Sequence, residues 1–435
     1  MTDHRPHKEF LRSMFDAAVS AALPENCLPE HLPEPSASGR IILLAAGKGA
    51  GAMLEVAERH YREQRGLGSD RLIGLGVTRH GYGRPTGTIE LIEAGHPVPD
   101  QAGVDATIRC MELVSAAGEN DHIVVLLSGG GSANWIAPTA GVTLDDKQQL
   151  TKALLKSGAT IDEINKVRKH LSRIKGGRLA GLAAPAKMTT LAVSDVPNDD
   201  PAAIASGPTV PDASTLADAR GICAKYAIQV PPAISEALND QANESLKPGD
   251  AAFNTAEFKI VARPQASLDA AAEVARAAGY EPIFLGDSVE GEARERAREH
   301  AGLAREALGA GKRCVFLSGG ELTVTINGDG IGGPNQEYAL ALAIALQDLP
   351  GVSGLAADTD GTDGGQGAAS DPAGAFVFPT TISRATALGL DPASFLARND
   401  STCFFDALSD LLVPGPTYTN VNDFRAIVVD NTGMC

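Results

Sequence analysis

The sequence predicts a two-domain α/β protein in which mostly parallel strands alternate with helices. Short apolar runs recur along the chain, and longer segments with helical periodicity separate them. Such alternation is typical of folds in which helices cover a parallel sheet. A polar, turn-rich segment at 239–250 divides the pattern into two series, so we predict an N-terminal domain over 1–245 and a C-terminal α/β domain over 250–435.

The N-terminal series opens on an apolar run at 41–46, which is typical of a strand buried on both faces. A glycine-rich turn follows it and begins a helix that we expect to reach about residue 64. An earlier helix is predicted at 8–22. Further strands are predicted at 72–78, 88–93, 122–128 and 188–194, and further helices at 101–117 and 144–157.

The C-terminal series is predicted to start with a strand at 258–262 and a helix at 265–278. A charged helix at 289–308 carries Glu and Arg four residues apart, the spacing of a solvent-exposed face. The remaining strands are predicted at 282–285, 314–317, 322–326, 354–358 and 425–429, with an Ala/Leu-rich helix at 336–346.

Composition excludes several classes of partner. The net charge of −17 disfavours nucleic acid and anionic membrane surfaces, and an aromatic content of 4% leaves few side chains on which bases could stack. No apolar run approaches the roughly 18 residues that span a bilayer. We expect a small-molecule substrate and no nucleic-acid or membrane partner, and a homodimer is left open.

Cysteine usage indicates a reducing compartment. The six cysteines never approach the C-x-x-C spacing of a zinc site, and they suggest no disulfide framework. The N-terminal residues lack the apolar segment of a secretory signal. We therefore expect a cytoplasmic protein.

Two predicted strands lead into the same Ser-Gly-Gly turn, at 128–130 and 318–320. Glycines at a strand end allow backbone N–H groups to approach an anion, and ligands of α/β sheets bind at the carboxyl ends of strands. A sharp structural turn is the alternative. The candidate phosphate-binding residues are Ser128, Gly129, Gly130, Gly131, Ser132, Gly319, Gly320, Glu321 and Asn335.

A third glycine turn, at Gly47 and Gly49, follows the first strand of the series. With Ala52 it matches a dinucleotide fingerprint, but no Asp or Glu follows at the end of the next strand to bind a ribose. Lys48 between the two glycines favours a cation beside a bound anion. Dinucleotide binding, binding of another anion and a plain turn remain three alternatives for this loop.

The segment 161–178 is the most basic part of this acidic chain. Its apolar residues recur at helical spacing, which places Arg168 and Arg173 among the charged residues of the other faces. A solvated helix face is one interpretation, and a surface that meets a phosphate or carboxylate is the other.

Carboxylates cluster in two loops that follow predicted strands. Asp195 lies in the first loop, and Asp358, Asp360 and Asp363 lie in the second. Carboxylate oxygens at strand ends suit Mg²⁺ bound to substrate phosphates, so we predict these four as metal ligands, with Asp195 also catalytic. Asx turns are the structural alternative.

Taken in order, these stretches resemble the bacterial and animal glycerate 2-kinase family, whose members have also been named hydroxypyruvate reductases. The segments that carry the resemblance are AAGKGAGAM (45–53), GHPVPD (95–100), LLSGGGSA (126–133), INKVRKHLSRIKGGRLA (164–180), SDVPNDDPAAIASGPT (194–209), SGGELTVT (318–325), GGPNQEYALA (332–341) and DTDGTDGG (358–365).

The resemblance implies a Rossmann-like N-terminal domain, a C-terminal domain of the multi-organism-fragment type, and an active-site cleft between them. It implies transfer of the γ-phosphoryl group of ATP to the C2 hydroxyl of D-glycerate, with ATP and Mg²⁺ bound. Lys48 matches the active-site lysine of the family's G-K-x-x-x-M motif. Pro334 stands where some members have a catalytic arginine, which leaves Arg168 or Arg173 as the expected substitute.

Two other functions compete with this kinase. An NAD(P)-dependent reductase of hydroxypyruvate or tartronate would need the acidic residue that is missing after the second strand. A non-catalytic nucleotide-binding module would not need the two carboxylate loops.

Overall fold

The structure, a computed structural model, describes residues 5–365, 368 and 370–430. The chain forms two compact units: the N-terminal unit, Pro24–Val261, and the C-terminal unit, Met1–Leu23 with Ala262–Cys435. This division differs from the predicted boundary at 245–250, because the strand after that boundary and the first helix each belong to the other unit.

The α-helices, in chain order, are α1 Arg5–Ala21, α2 Pro24–Cys27, α3 Ala50–Arg59, α4 Gln101–Ser115, α5 Gly131–Asn134, α6 Leu144–Lys156, α7 Ile161–His170, α8 Arg178–Ala183, α9 Leu216–Lys225, α10 Pro232–Asn239, α11 Pro264–Ala277, α12 Ala293–Gly309, α13 Pro334–Leu346, α14 Thr381–Ala387, α15 Pro392–Ala397 and α16 Ser401–Leu408. The strands are β1 Ile41–Ala46, β2 Leu72–Arg79, β3 Glu90–Ala94, β4 His122–Leu127, β5 Lys187–Val193, β6 Ala256–Ala262, β7 Glu281–Gly286, β8 Gly291–Glu292, β9 Cys314–Ser318, β10 Leu322–Thr323, β11 Val352–Asp358, β12 Gly374–Val377, β13 Leu411–Leu412 and β14 Asp423–Val429.

The N-terminal unit contains a six-stranded sheet in the order β3-β2-β1-β4-β5-β6. The pairs that β1 makes with β2 and β4 are parallel, as are β2 with β3 and β4 with β5. This is the Rossmann strand order, in which the strands after β1 are added on one side of it and those from β4 onwards on the other side. The predicted Rossmann-like parallel sheet is confirmed, and the loops after β1 and β4 leave the sheet side by side.

The C-terminal unit contains a mixed sheet in the order β13-β12-β11-β14-β9-β7. Only the β7–β9 pair is parallel among these strands, and the other pairs are antiparallel. Helices α12 and α13 pack on one face, while α1 and α11 pack on the other. The predicted α/β architecture is therefore present in this unit, with an antiparallel majority.

Three local predictions differ from the structure. The strand predicted at 322–326 shortens to β10, which pairs with β8 outside the main sheet. The strand predicted to open the second series is β6, which joins the first sheet beside β5. The helical periodicity over 161–178 is interrupted: α7 ends at His170, and Gly176 and Gly177, with left-handed φ of 59° and 79°, form the turn that precedes α8.

Each unit has its own apolar core. In the N-terminal unit, all six residues of β1 are fully buried. Among the described residues, the cysteines at 27, 110, 223, 314 and 403 form no disulfide, and Cys435 lies outside the described residues. Within the part of the chain that the structure describes, no helix combines the length and apolar character that crossing a bilayer requires.

Candidate active site

The loops after β1 and β4 are joined by hydrogen bonds. The backbone N–H of Lys48 donates to the Gly129 carbonyl at 2.7 Å, and the N–H of Gly49 donates to Ser128 Oγ at 2.9 Å. Gly47 adopts a φ of 120°, and a Cβ there would collide with Ser128. Glycine is therefore required where these two loops meet.

The side chains of Lys48 and His96 both lie against Gly130. A Cβ added to Gly130 would lie 2.9 Å from His96 Cδ2 and 3.3 Å from Lys48 Cγ. His96 was not among the residues predicted from the sequence. A histidine immediately after a strand end, in the 95–100 segment, is the signal that could have identified it.

Arg168 reaches the glycine loop that follows β4, whereas Arg173 does not. The Arg168 guanidinium donates to the Ser132 carbonyl at 3.2 Å and to Asn165 Oδ1 at 3.2 Å. Arg173 is exposed, and its backbone N–H bonds to Ala137. Of the two arginines predicted to replace the one missing at Pro334, the structure places Arg168 at the loop.

Lys175, which was not predicted as a site residue, is buried behind the same loop. Its ammonium donates to the Ser132 carbonyl at 2.9 Å and to Ser132 Oγ at 3.0 Å. Burial, with the nearby positive charge of Arg168, lowers the pKa of Lys175 well below its usual range. Burial also lowers the pKa of Arg168.

Two more lysines of this region are buried. Lys147 donates to the Leu171 carbonyl at 2.7 Å, and burial with repulsion from Arg168 lowers its pKa to about 7. Lys169 pairs with Asp212 at 3.3 Å. The basic segment is therefore largely an interior cluster of cations and not a solvated helix face.

Asp195 follows β5 and is half-buried. The segment after it contains four non-glycine residues with left-handed backbone conformations, which are Asn198, Asp199, Ala205 and Ser206. Residues in this region carry backbone strain of about 1–3 kcal/mol each, and such strain is concentrated at functional sites. Ser206 Oγ lies 2.7 Å from Ser132 Oγ, so this segment contacts the glycine loop.

In the C-terminal unit, a buried arginine holds the second Ser-Gly-Gly turn. Arg425 on β14 donates through Nε to Ser318 Oγ at 3.2 Å and through Nη2 to the Gly319 carbonyl. Its Nη1 pairs with Asp423 at 2.7 Å. Gly320 has a φ of 89° and its backbone lies against Val289, so a Cβ there would collide with the backbone of that residue.

Asp363 caps the first turn of α13. Its carboxylate accepts from the backbone N–H groups of Asn335 at 3.0 Å and Gln336 at 2.8 Å, and from both side-chain amides. Burial raises the pKa of Asp363 to about 7, and the nearby charge of Asp423 adds to the rise. Asn335 Nδ2 also donates to Asp423 at 2.6 Å. Glu321 is exposed.

The carboxylates of the 358–363 loop are engaged in turns. Asp358 Oδ1 accepts from the Asp360 N–H at 2.9 Å, and Asp360 Oδ1 accepts from the Thr362 N–H at 2.8 Å. Over residues 5–365, 368 and 370–430, no three His, Cys, Asp or Glu side chains form a group that could hold a metal ion. The structure therefore gives Asp360 and Asp363 backbone-capping contacts, and it does not gather Asp358, Asp360 and Asp363 into one set of ligands.

Two family models cover most of the chain. One, described as "Domain of unknown function (DUF4147)", matches residues 10–239, and the MOFRL family matches residues 314–423. A D-glycerate 2-kinase from Thermotoga maritima is 39% identical over 97% of this chain and 98% of its own length. The chain belongs to the glycerate 2-kinase family.

Other similar proteins agree with membership of the glycerate 2-kinase family. A crystal structure of glycerate kinase from Thermotoga maritima aligns with a TM-score of 0.85 and 38% identity, over 98% of this chain and all of that one. An Agrobacterium vitis protein with the provisional name hydroxypyruvate reductase is 46% identical over 97% of this chain and 94% of its own. The resemblance stated from the sequence motifs is confirmed.

Proposed function

We propose that this protein transfers the γ-phosphoryl group of ATP to the C2 hydroxyl of D-glycerate and produces 2-phosphoglycerate. The observation that carries the proposal is the joining of the Lys48 loop to the Ser128–Ser132 loop between β1 and β4. A lysine and several glycines at the carboxyl ends of two adjacent parallel strands suit an anionic substrate. The near full-length similarity to a D-glycerate 2-kinase supports the choice of substrate.

The reaction asks little covalent chemistry of the protein. The C2 oxygen forms a bond to the γ-phosphorus as the bond to the bridging oxygen breaks, ADP leaves, and the hydroxyl proton is lost. Catalysis of this kind rests on positioning and on neutralising phosphate charge. Lys48, whose Cγ lies beside Gly130, would supply one cation, and Arg168 would supply a second at Ser132.

Binding contacts to the nucleotide are proposed for both glycine turns. Gly47, Gly49 and the Ser128–Ser132 loop are the proposed contacts of the N-terminal unit. Gly319, Gly320, Glu321 and Asn335 are the proposed contacts of the C-terminal unit. Gly130 and Gly320 adopt φ of 83° and 89°, a conformation that favours glycine.

Mg²⁺, when bound, would neutralise part of the phosphate charge. Magnesium usually takes one or two carboxylates together with substrate phosphates and water, and this does not require three protein ligands. Asp195 in the N-terminal unit and Asp358 in the C-terminal unit are half-buried at strand ends, and each is proposed separately as a Mg²⁺ ligand. Asp360 and Asp363 are weaker candidates, because they are only 1% and 2% exposed.

Reduction of hydroxypyruvate is the second candidate, because one similar protein carries that name. At the end of β2, where a dinucleotide site needs an acidic residue, the chain has Arg79, whose guanidinium lies 5.1 Å from the centre of the Tyr82 ring. This residue disfavours the ribose of NAD.

One set of assays separates the two candidates. Purified protein is incubated with D-glycerate and MgATP, and separately with hydroxypyruvate and NADPH. We expect ADP and 2-phosphoglycerate, identified by phosphorus NMR, in the first reaction. NADPH oxidation in the second reaction, with no phosphorylated product in the first, would replace the kinase by the reductase.

A further inference from the structure

Lys175 is a buried cation whose hydrogen bonds go to neutral oxygens. It is 1% exposed, and its ammonium donates to the Ser132 carbonyl, to Ser132 Oγ and, at 3.4 Å, to the Ala205 carbonyl. A buried charge is costly unless an opposite charge compensates it. Carbonyl and hydroxyl groups compensate only part of the charge on this ammonium.

The contacts of Lys175 join two segments that contain unusual backbone conformations. Ala205 and Ser206 have φ of 49° and 63°, which side-chain-bearing residues rarely adopt. Gly131 lies directly against Ala205, since a Cβ added to that glycine would be 3.3 Å from the Ala205 Cβ. Lys175 therefore connects the strained turn to the glycine loop that the proposed function assigns to anion binding.

The groups around Lys175 are mostly cationic. Arg168 and Lys169 approach from α7 and Lys147 from α6, and all three add to the effect of burial in lowering the pKa of Lys175. The nearby carboxylate, Asp212, lies beside Gly176 and pairs with Lys169. The cluster thus has more positive than negative charge immediately behind the Ser128–Ser132 loop.

We propose that Lys175 is a positioning residue that holds the Ser128–Ser132 loop in shape, and that an anion bound by this loop is attracted by the charge of Lys175 and Arg168. The inference rests on the proposed function for the identity of the anion. A phosphate of ATP and the carboxylate of glycerate share the chemistry that this cluster recognises.

Anion binding at the loop has a measurable consequence for protonation. The free protein holds Lys175 where burial and neighbouring cations disfavour its charged form. A bound anion opposes those cations, favours the charged form and raises the pKa of Lys175. Binding is therefore accompanied by proton uptake, and anion affinity falls as the pH rises.

Calorimetric titration of the full chain tests this inference without depending on turnover. MgATP and D-glycerate are titrated separately at about pH 8, above the second pKa of phosphate groups, in two buffers of different ionisation enthalpy. We expect proton uptake with one of the two ligands, and the ligand that shows it is the one bound at the loop. Absence of proton uptake with both ligands overturns the inference, and this measurement needs only the parent protein.

Two variants locate the effect. Lys175→Met is expected to abolish the proton uptake and to weaken binding of that ligand at least about tenfold, the scale of a lost hydrogen bond to a charged group. Lys147→Met is the matched control, because it removes another buried lysine, bonded to Leu171 and not to the loop, and should leave most of that affinity. Equal affinities and equal proton uptake in Lys175→Met and the parent would contradict the positioning role.

The titrations, together with the assay of D-glycerate phosphorylation, separate this inference from the proposed kinase. A parent protein that phosphorylates D-glycerate but takes up no proton on binding either ligand keeps the function and loses the inference. A parent protein that takes up a proton with MgATP but does not phosphorylate D-glycerate keeps the inference and loses the proposed substrate.

Discussion

The two Ser-Gly-Gly turns of this protein have the same sequence, but the charged side chains around them differ. In the N-terminal unit, Lys175 and Arg168 bond to neutral oxygens of the turn, and burial disfavours the charged form of both by lowering their pKa values. In the C-terminal unit, Arg425 bonds to the turn and is paired with Asp423 at 2.7 Å. A repeated motif thus specifies a backbone shape, while side chains from distant segments set the charges around that shape.

The largest expected effect is on the stability of the C-terminal unit. Arg425→Met removes a fully buried guanidinium and leaves Asp423 buried without its ion pair. We expect a loss of about 3–5 kcal/mol in the free energy of unfolding, as for other broken buried pairs. Chemical denaturation measures it, and Arg40→Met is the control, because the Arg40–Asp121 pair at 2.6 Å is partly exposed and should cost much less. Equal losses in both variants would show that the Arg425 pair has no special structural role.

The next effect is on turnover in the N-terminal unit. Lys48→Ala should lower kcat by roughly 100-fold, or about 3 kcal/mol of transition-state stabilisation, because it removes a cation aimed at a developing charge. Its melting temperature should stay near that of the parent, because the glycines of the turn and not the lysine side chain fit the two loops together. Lys48→Arg should restore only part of the rate, since a planar guanidinium does not replace a compact ammonium. Turnover of Lys48→Ala within about twofold of the parent would remove this residue from the mechanism.

A smaller effect is expected for the proposed metal ligands. Asp195→Asn should lower turnover about tenfold and raise the Mg²⁺ concentration needed for half-maximal rate, because a neutral amide binds Mg²⁺ less well than a carboxylate. Asp360→Asn keeps an oxygen that can accept from Thr362, so its stability should be retained. Steady-state kinetics across a magnesium series, with unfolding curves for both variants, checks this. Full activity of the parent in excess chelator would exclude Mg²⁺ from the reaction.

The smallest effect is a pH dependence of stability in the C-terminal unit. The folded-state pKa of Asp363, about 7, lies above its ordinary value of 3.8. The folded protein therefore binds a proton that the unfolded chain releases between these two values, and the stabilisation is lost as the pH rises towards 7. The melting temperature of the parent should fall by about a few degrees more between these pH values than that of Asp363→Asn. Identical pH profiles would mean that Asp363 is ionised throughout.

Prediction from the sequence succeeded where the pattern is local. Strand β1 was predicted at its observed bounds because it is wholly apolar. The loops at Lys48 and Ser128 were predicted because clustered glycines directly after an apolar run indicate a tight turn at a strand end. The same motifs led to the resemblance to the family and to the prediction of a Rossmann-like sheet, and both are confirmed. The apolar periodicity of the 161–178 segment was only partly helical, because α7 ends at His170 and the chain turns at Gly176 and Gly177 before α8.

The residues that could not be predicted from the sequence depend on tertiary contacts. Lys175 belongs to a basic run that looks like a solvated face, and only the fold buries it against Ser132. Arg425 lies in an apolar strand more than 100 positions from the turn that it holds. Asp363 was predicted as a metal ligand, and its cap on α13 is formed only when that helix is placed beside its loop.

Alanine substitution of one glycine in each turn tests most directly whether the N-terminal turn carries the chemistry. A Cβ at Gly130 would meet the side chains of His96 and Lys48, whereas a Cβ at Gly320 would meet the backbone of Val289. We predict that Gly130→Ala loses at least about tenfold in kcat/KM, equivalent to about 1.4 kcal/mol, and keeps most of its stability, and that Gly320→Ala mainly loses stability. Turnover of D-glycerate by Gly130→Ala within about twofold of the parent would contradict the account.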